Sequence, residues 1–97
     1  MSRRVSVRRL AKQDIREARG WYRKISPVLA DDFLRAVDDA IKLASERPLA
    51  FQRVHRTFRR VLLHRFPYAL FYDVQEQAII VVAVLHQARD PEILNTR

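Results

Sequence analysis

The sequence contains no cysteine, so neither a disulfide framework nor a thiolate metal site is available to it. That fits a reducing compartment. One glycine and four prolines in 97 residues exclude a collagen-like, linker-like or low-complexity chain. Nowhere does the sequence hold the run of about 20 apolar residues that a membrane-spanning helix needs. The opening Met1-Ser2-Arg3-Arg4 leads into no apolar segment of the kind a secretory signal carries. The expectation is a cytoplasmic protein without membrane association. His55 and His64 are isolated in sequence, and no histidine and carboxylate share the close helical spacing of a zinc site. Neither a metal nor another cofactor is expected.

What is present is a folded chain with a basic surface. Hydrophobic residues make up 48% and charged residues 31%, the proportions of a soluble globular protein, and the length predicts a single domain over 1–97 with a compact core. Nineteen Lys and Arg against eleven Asp and Glu give a formal charge of +8. Only Lys12, Lys24 and Lys42 are lysines; the rest are arginines. A guanidinium is a planar fork of five donors suited to phosphate and carboxylate, so the surplus points to attraction for phosphate polymers or an acidic protein. A solvated charged coat is the plainer alternative.

Hydrophobic periodicity divides the chain into elements. Val5 and Val7 alternate with Ser6 and Arg8 among Arg3, Arg4 and Arg9, which predicts a short edge strand. From Ala11 to about Ile25 the period becomes helical, with Ile15, Ala18, Tyr22 and Ile25 on one stripe and Lys12, Arg16, Arg19 and Arg23 facing away. Trp21, beside that stripe, is expected to pack between helices. Ser26-Pro27 reads as an N-cap followed by proline in the first helical position. A second helix then runs to about Arg47, with Leu29, Phe33, Ala36, Val37, Ala40, Ile41 and Ala44 on its apolar face, and Pro48 stops it. So short a link predicts an antiparallel helix hairpin.

The segment from Leu49 to Phe58 is irregular and predicts a connection with one brief strand. Arg59 to Phe66, Tyr68 to Val74 and Ala78 to His86 are rich in β-branched and aromatic residues, which predicts a three-stranded antiparallel meander. Ile79 to Leu85 is apolar at every position, so both its faces should be covered. The helix hairpin can cover one; the C-terminal tail or a partner must cover the other. The fold class read from these elements is α+β.

Two segments carry a family likeness. Arg65-Phe66-Pro67-Tyr68-Ala69-Leu70-Phe71-Tyr72 resembles the central signature of ParE-type toxins, and Val84-Leu85-His86-Gln87-Ala88-Arg89-Asp90-Pro91 resembles the segment closing their last strand. The order of elements is similar to the RelE/ParE architecture, and the Phe33 to Pro48 segment resembles that family's second helix. The resemblance implies the toxin of a type II toxin–antitoxin system, bound in a hetero-oligomer by a ParD-like antitoxin. It also implies one of two targets. ParE-like toxins trap DNA gyrase, whereas RelE-like toxins cleave messenger RNA on the ribosome. The sequence departs from the ParE pattern where a Trp commonly follows the Arg-Xaa-Pro unit and Leu94 stands instead.

Metal-free RNA cleavage needs a base for the 2′-OH, an acid for the leaving oxygen and cations around the phosphorane. RelE-like enzymes usually place a Tyr near the C-terminus for this, and here no Tyr follows Tyr72. His64, His86, Arg65 and Arg89 remain as weak catalytic candidates. Strand alternation would put Arg59 and Arg65 on the face opposite Arg60. Arg89, with His86 and Arg60, is expected to contact the target, while the antitoxin-binding residues stay unassigned. His86 has a plainer reading as an imidazole hydrogen-bonded to a carbonyl, and Tyr68 and Tyr72 are expected to be core aromatics. The balance favours a gyrase-binding toxin that is no enzyme, with the RNA endonuclease and a plain nucleic-acid-binding module as alternatives.

Overall fold

The first long helix begins two residues before its apolar stripe does, because the Arg8 carbonyl already accepts the Lys12 N–H. In the computed structural model, which describes residues 3–97, β1 (Arg4–Val7) leads into α1 (Arg9–Ile25) and α2 (Pro27–Glu46). β2 (Arg53–His55), β3 (Phe58–Leu62), β4 (Tyr68–Gln75) and β5 (Ala78–His86) follow, and a 3-10 helix spans Pro91–Thr96. Neither α1 nor α2 is long and apolar enough to cross a membrane. Ser26 caps α2 through its Oγ, which accepts the Leu29 N–H, with Pro27 next in line. This single residue joins the two helices into the expected hairpin.

The expected meander lies inside a larger sheet of order β1-β5-β4-β3-β2. β3, β4 and β5 pair antiparallel, β2 adds to β3, and β1 runs parallel to β5 along the other edge. β3 is shorter than its sequence pattern. The chain leaves the sheet after Leu62 and turns through His64 to Pro67, with Arg65 in the left-handed region at φ 71° and Tyr68 N–H on the Phe66 carbonyl. Proline cannot donate to a ladder, and the turn at Pro67 marks the restart of pairing.

Two apolar clusters fill the two faces of the sheet. On the helix side, Tyr22, Phe33 and Phe66 pack with Val61, Leu70, Tyr72, Ile79, Val81 and Val84. Across it lie Phe58, Ala69, Phe71, Val82, Ala83, Leu85 and Leu94. Both faces of β5 are covered, as its unbroken apolar run requires, and the tail supplies part of the second cover through Leu94, 1% exposed. The clusters change sides at a bulge: Phe71 pairs with Ala83 and Tyr72 with Val81, leaving Val82 as an extra residue. A bulge shifts the phase of every later side chain.

Trp21, expected between the helices, and Ile25, expected on the α1 stripe, both lie elsewhere. Trp21 is 58% exposed and Ile25 also faces out; the place between the helices belongs to Tyr22, whose ring sits 5.3 Å from Phe33 and 5.0 Å from Phe66. One residue is 100° of helix, so Trp21 is turned past the seam that Ala18 and Tyr22 define. Tyr72 is fully buried and its hydroxyl donates to the Pro48 carbonyl at 2.7 Å. Tyr72→Phe leaves that carbonyl unpaired in the core, and urea unfolding should show a loss of about 1–3 kcal/mol; an unchanged midpoint would place water on the carbonyl.

Burial raises the Tyr72 hydroxyl above its ordinary value of 10.0, against a lowering by Arg59. Burial does the same at Tyr68, and at Tyr22, where the neighbouring Tyr68 adds to it. A raised folded-state value means that the fold favours the neutral phenol. The associated stability is therefore complete below the unfolded value near 10 and is lost as pH rises through the folded values. Folding stability should fall above about pH 10, and phenolate absorbance should rise together with loss of ellipticity. Phenolate formation at pH 10 without any loss of stability would contradict this.

Candidate interaction site

The end of the sheet where β5 stops is held open by main-chain contacts. Gln87 N–H donates to the Pro67 carbonyl at 2.8 Å and Arg89 N–H to the His86 carbonyl at 2.9 Å, so the strand turns at once. Asp90 then caps the 3-10 helix, its Oδ1 accepting the Glu92 N–H at 2.9 Å. That helix returns across the face opposite α1 and α2. Between it and β3 lies a cleft of about 520 Å³. Its floor is apolar, with Leu62, Phe71, Leu85 and Leu94, and its rim carries Arg60, His86 and Arg89.

Alternation along β3 explains the rim. Phe58, Arg60 and Leu62 project to the cleft side, and Arg59 and Val61 to the helix side. Arg59 is spent on structure: its Nη1 donates to the Phe51 carbonyl at 2.6 Å. Arg65, read from the sequence as a strand residue beside Arg59, lies instead in the turn, 3.7 Å from Asp32 and above the Phe66 ring. The strand ended three residues before it. His64 is exposed in the same turn. Of the six residues considered, Arg60, His86 and Arg89 come together; Arg59, His64 and Arg65 do not join them.

His86 does not donate to a carbonyl as expected from the sequence. Its Nδ1 accepts the Ala88 N–H at 3.0 Å, the opposite polarity, because the tight turn aims that amide back at the ring. A neutral imidazole whose Nδ1 accepts carries its proton on Nε2, so His86 presents a donor outward. Its ring stands 5.2 Å from Tyr68, edge to face. Arg60 and Arg89 pair with no carboxylate among the described residues.

A polar clasp that sequence reasoning missed fixes the tail. Arg97 Nη1 and Nη2 donate to the Asp14 carboxylate at 2.6 and 3.0 Å, and Nη1 also donates to the Val82 carbonyl at 3.1 Å. Asp14 Oδ2 accepts the Val84 N–H at 3.0 Å. β1 has ended by then, with Arg8 N–H on the Val81 carbonyl, so these side chains take the place of a neighbouring strand. Both are nearly buried, at 7% and 10% exposure. Nothing local in the sequence announces a pair 83 residues apart.

A model of the ParE toxin of type II toxin–antitoxin systems (parDE) matches residues 5–91. The chain belongs to the ParE toxin family. It is 29% identical over 92 residues to toxin ParE2 of Mycobacterium tuberculosis, covering 94% of this chain and 88% of that one. Two solved structures share the α+β fold of this ParE-family chain. One is the chromosomal ParDE system of P. aeruginosa, with TM-score 0.62 and 15% identity, covering 88% of this chain and 96% of that one. The other is the RelBE2 toxin–antitoxin complex of Mycobacterium tuberculosis, with TM-score 0.62 and 17% identity over 89% and 99% of the two chains. The ParE family match covers both the signature around Pro67 and the segment closing β5.

Proposed function

We propose that this ParE-family chain is a cytoplasmic toxin that inhibits DNA gyrase by binding it, and that a ParD-like antitoxin neutralises it in a hetero-oligomer. The observation that carries the reading is the rim of Arg60, His86 and Arg89 around an apolar floor. Unpaired guanidiniums beside buried apolar area are the makings of a protein-binding surface. The chemistry of the rim supports binding over cleavage. The Nδ1 lone pair of His86 is taken by Ala88, so the imidazole meets a ligand as a donor and has no free lone pair with which to take a 2′-OH proton. The tyrosine hydroxyl of Tyr72 is committed to Pro48 on the other side of the sheet.

Arg89 is the residue whose loss should separate folding from function. Its side chain is exposed, and its contact within the fold is made by its main-chain N–H. Arg89→Ala should leave the unfolding midpoint within about 0.5 kcal/mol of the parent while growth arrest at equal soluble expression weakens. Full toxicity of the variant would move the contact surface elsewhere, first to the exposed arginines of α1.

A further inference from the structure

The first helix carries a row of cations apart from the cleft at the sheet end. Lys12, Arg16, Arg19 and Arg23 recur along α1 at steps of four, three and four residues, which confines them to about 60° of the helix circumference and about 16 Å of its length. Lys12, Arg16 and Arg23 are exposed and Arg19 is half-buried. Other arginines are engaged by the fold: Arg35 pairs with Asp32, Arg59 donates to the Phe51 carbonyl and Arg97 holds Asp14. No carboxylate pairs with any of the four among the described residues, and Arg19 Nε is buried without a hydrogen-bond partner. The two carboxylates of α1 lie on another side of it, where Asp14 and Glu17 line a smaller cleft with Trp21. Gly20, the single glycine of the chain, is one turn from both Arg16 and Arg23. Glycine weakens a helix interior relative to alanine, and packing does not call for it here, because a Cβ would meet nothing within 4 Å. It leaves the helix surface bare between two guanidiniums.

We infer that this face of α1 binds the phosphate backbone of duplex DNA, without reading its sequence. An unmatched row of one sign fits a polyanion. A DNA strand presents a charge every ~3.4 Å of duplex axis, so the row spans about five phosphates. The helix holds the row straight, and a duplex holds its phosphates in place, so neither partner has to be ordered to meet the other. A single strand is gripped instead by aromatic platforms on which its bases stack. No aromatic side chain lies on this row, since Tyr22 is buried and Trp21 lines the cleft of Asp14 and Glu17. Gly20 gives a phosphate room to approach the helix between Arg16 and Arg23. The row shares no residue with the cleft rimmed by Arg60, His86 and Arg89. The inference therefore stands apart from gyrase binding and adds a DNA contact across the sheet from that cleft.

Fluorescence anisotropy of a labelled duplex of mixed sequence, titrated with the purified protein at several salt concentrations, counts the phosphates neutralised. Four contacts predict a loss of affinity of about a hundredfold between about 50 and 200 mM salt. Arg16→Gln and Arg23→Gln should each weaken binding at low salt and reduce that loss to about fortyfold, the dependence of three contacts. Arg53→Gln removes the same charge from an exposed position on β2 and should leave the salt dependence as it is. Gly20→Leu fills the gap with a good helix former and should weaken binding while circular dichroism shows the helix content retained. An equal loss from Arg53→Gln would trace binding to net charge and overturn the inference. So would an unchanged salt dependence in both row variants, tighter binding of a single strand of the same length, or displacement of the duplex by polyglutamate at equal charge, which would point to an acidic protein. Growth arrest and gyrase inhibition that persist beside any of these results would remove the DNA contact and leave the proposed function standing.

Discussion

Replacing Asp14 by alanine is expected to lower folding stability by about 3–5 kcal/mol, the range for breaking a nearly buried ion pair from one side. The variant strands the Arg97 guanidinium, which keeps only the Val82 carbonyl, and the Val84 N–H, which loses its acceptor. For a chain of this size, whose whole stability should be about 5–15 kcal/mol, that is a large fraction. Arg97→Ala should cost less, because the Asp14 carboxylate keeps the Val84 N–H and lies at the protein edge once the side chain is gone. The double variant should be less destabilised than the sum of the two, which a double-mutant cycle in urea measures directly. Additive losses would show that the two groups stabilise the fold independently.

Phe33→Ala is expected to cost about 3–5 kcal/mol as well, by a different route. The ring is fully buried and lies 5.3 Å from Tyr22, 5.4 Å from Phe66 and 5.2 Å from Tyr68. Each neighbour belongs to another element or turn, so no single side chain can move in to fill the space. The loss should therefore include a cavity in addition to the transfer of the ring. Chemical denaturation checks it, and a loss well below about 1 kcal/mol would mean that the cluster closes over the gap.

The helices and the meander were legible because each has one dominant period. Phe33, Ala36, Val37 and Ala40 repeat at helical spacing and all lie in the helix-side core. Trp21 and Ile25 were misplaced because a stripe read from four residues fixes its direction only to within about one helical step. Ala11, Ala18 and Tyr22 mark the side that is buried. The parallel pairing of β1 with β5 was not readable, since Val5 and Val7 pair with Ile79 and Val81 at a separation of more than seventy residues. Nor was the bulge at Val82: an apolar run with no polar residue in it carries no phase, so nothing marks where the phase shifts.

The site was legible to the same degree. Arg89 and His86 were expected at one end of the sheet and Arg60 among the residues that contact the target, and the three line one cleft. Arg65 was read as strand because Val61 to Phe66 keeps β-forming residues, while the left-handed turn at Arg65 itself has no glycine or asparagine to announce it. The Asp14 to Arg97 clasp depends on where the tail returns. That is a property of packing, and neither residue differs locally from the surface charges around it.

Expression of the chain alone in bacteria, followed by recovery of covalent gyrase–DNA complexes and mapping of message ends on ribosomes from the same cells, tests the central claim most directly. The account predicts accumulated gyrase–DNA complexes, intact ribosomal messages, and loss of the complexes with Arg89→Ala. Cut messages in cells whose gyrase remains free of trapped DNA would contradict it.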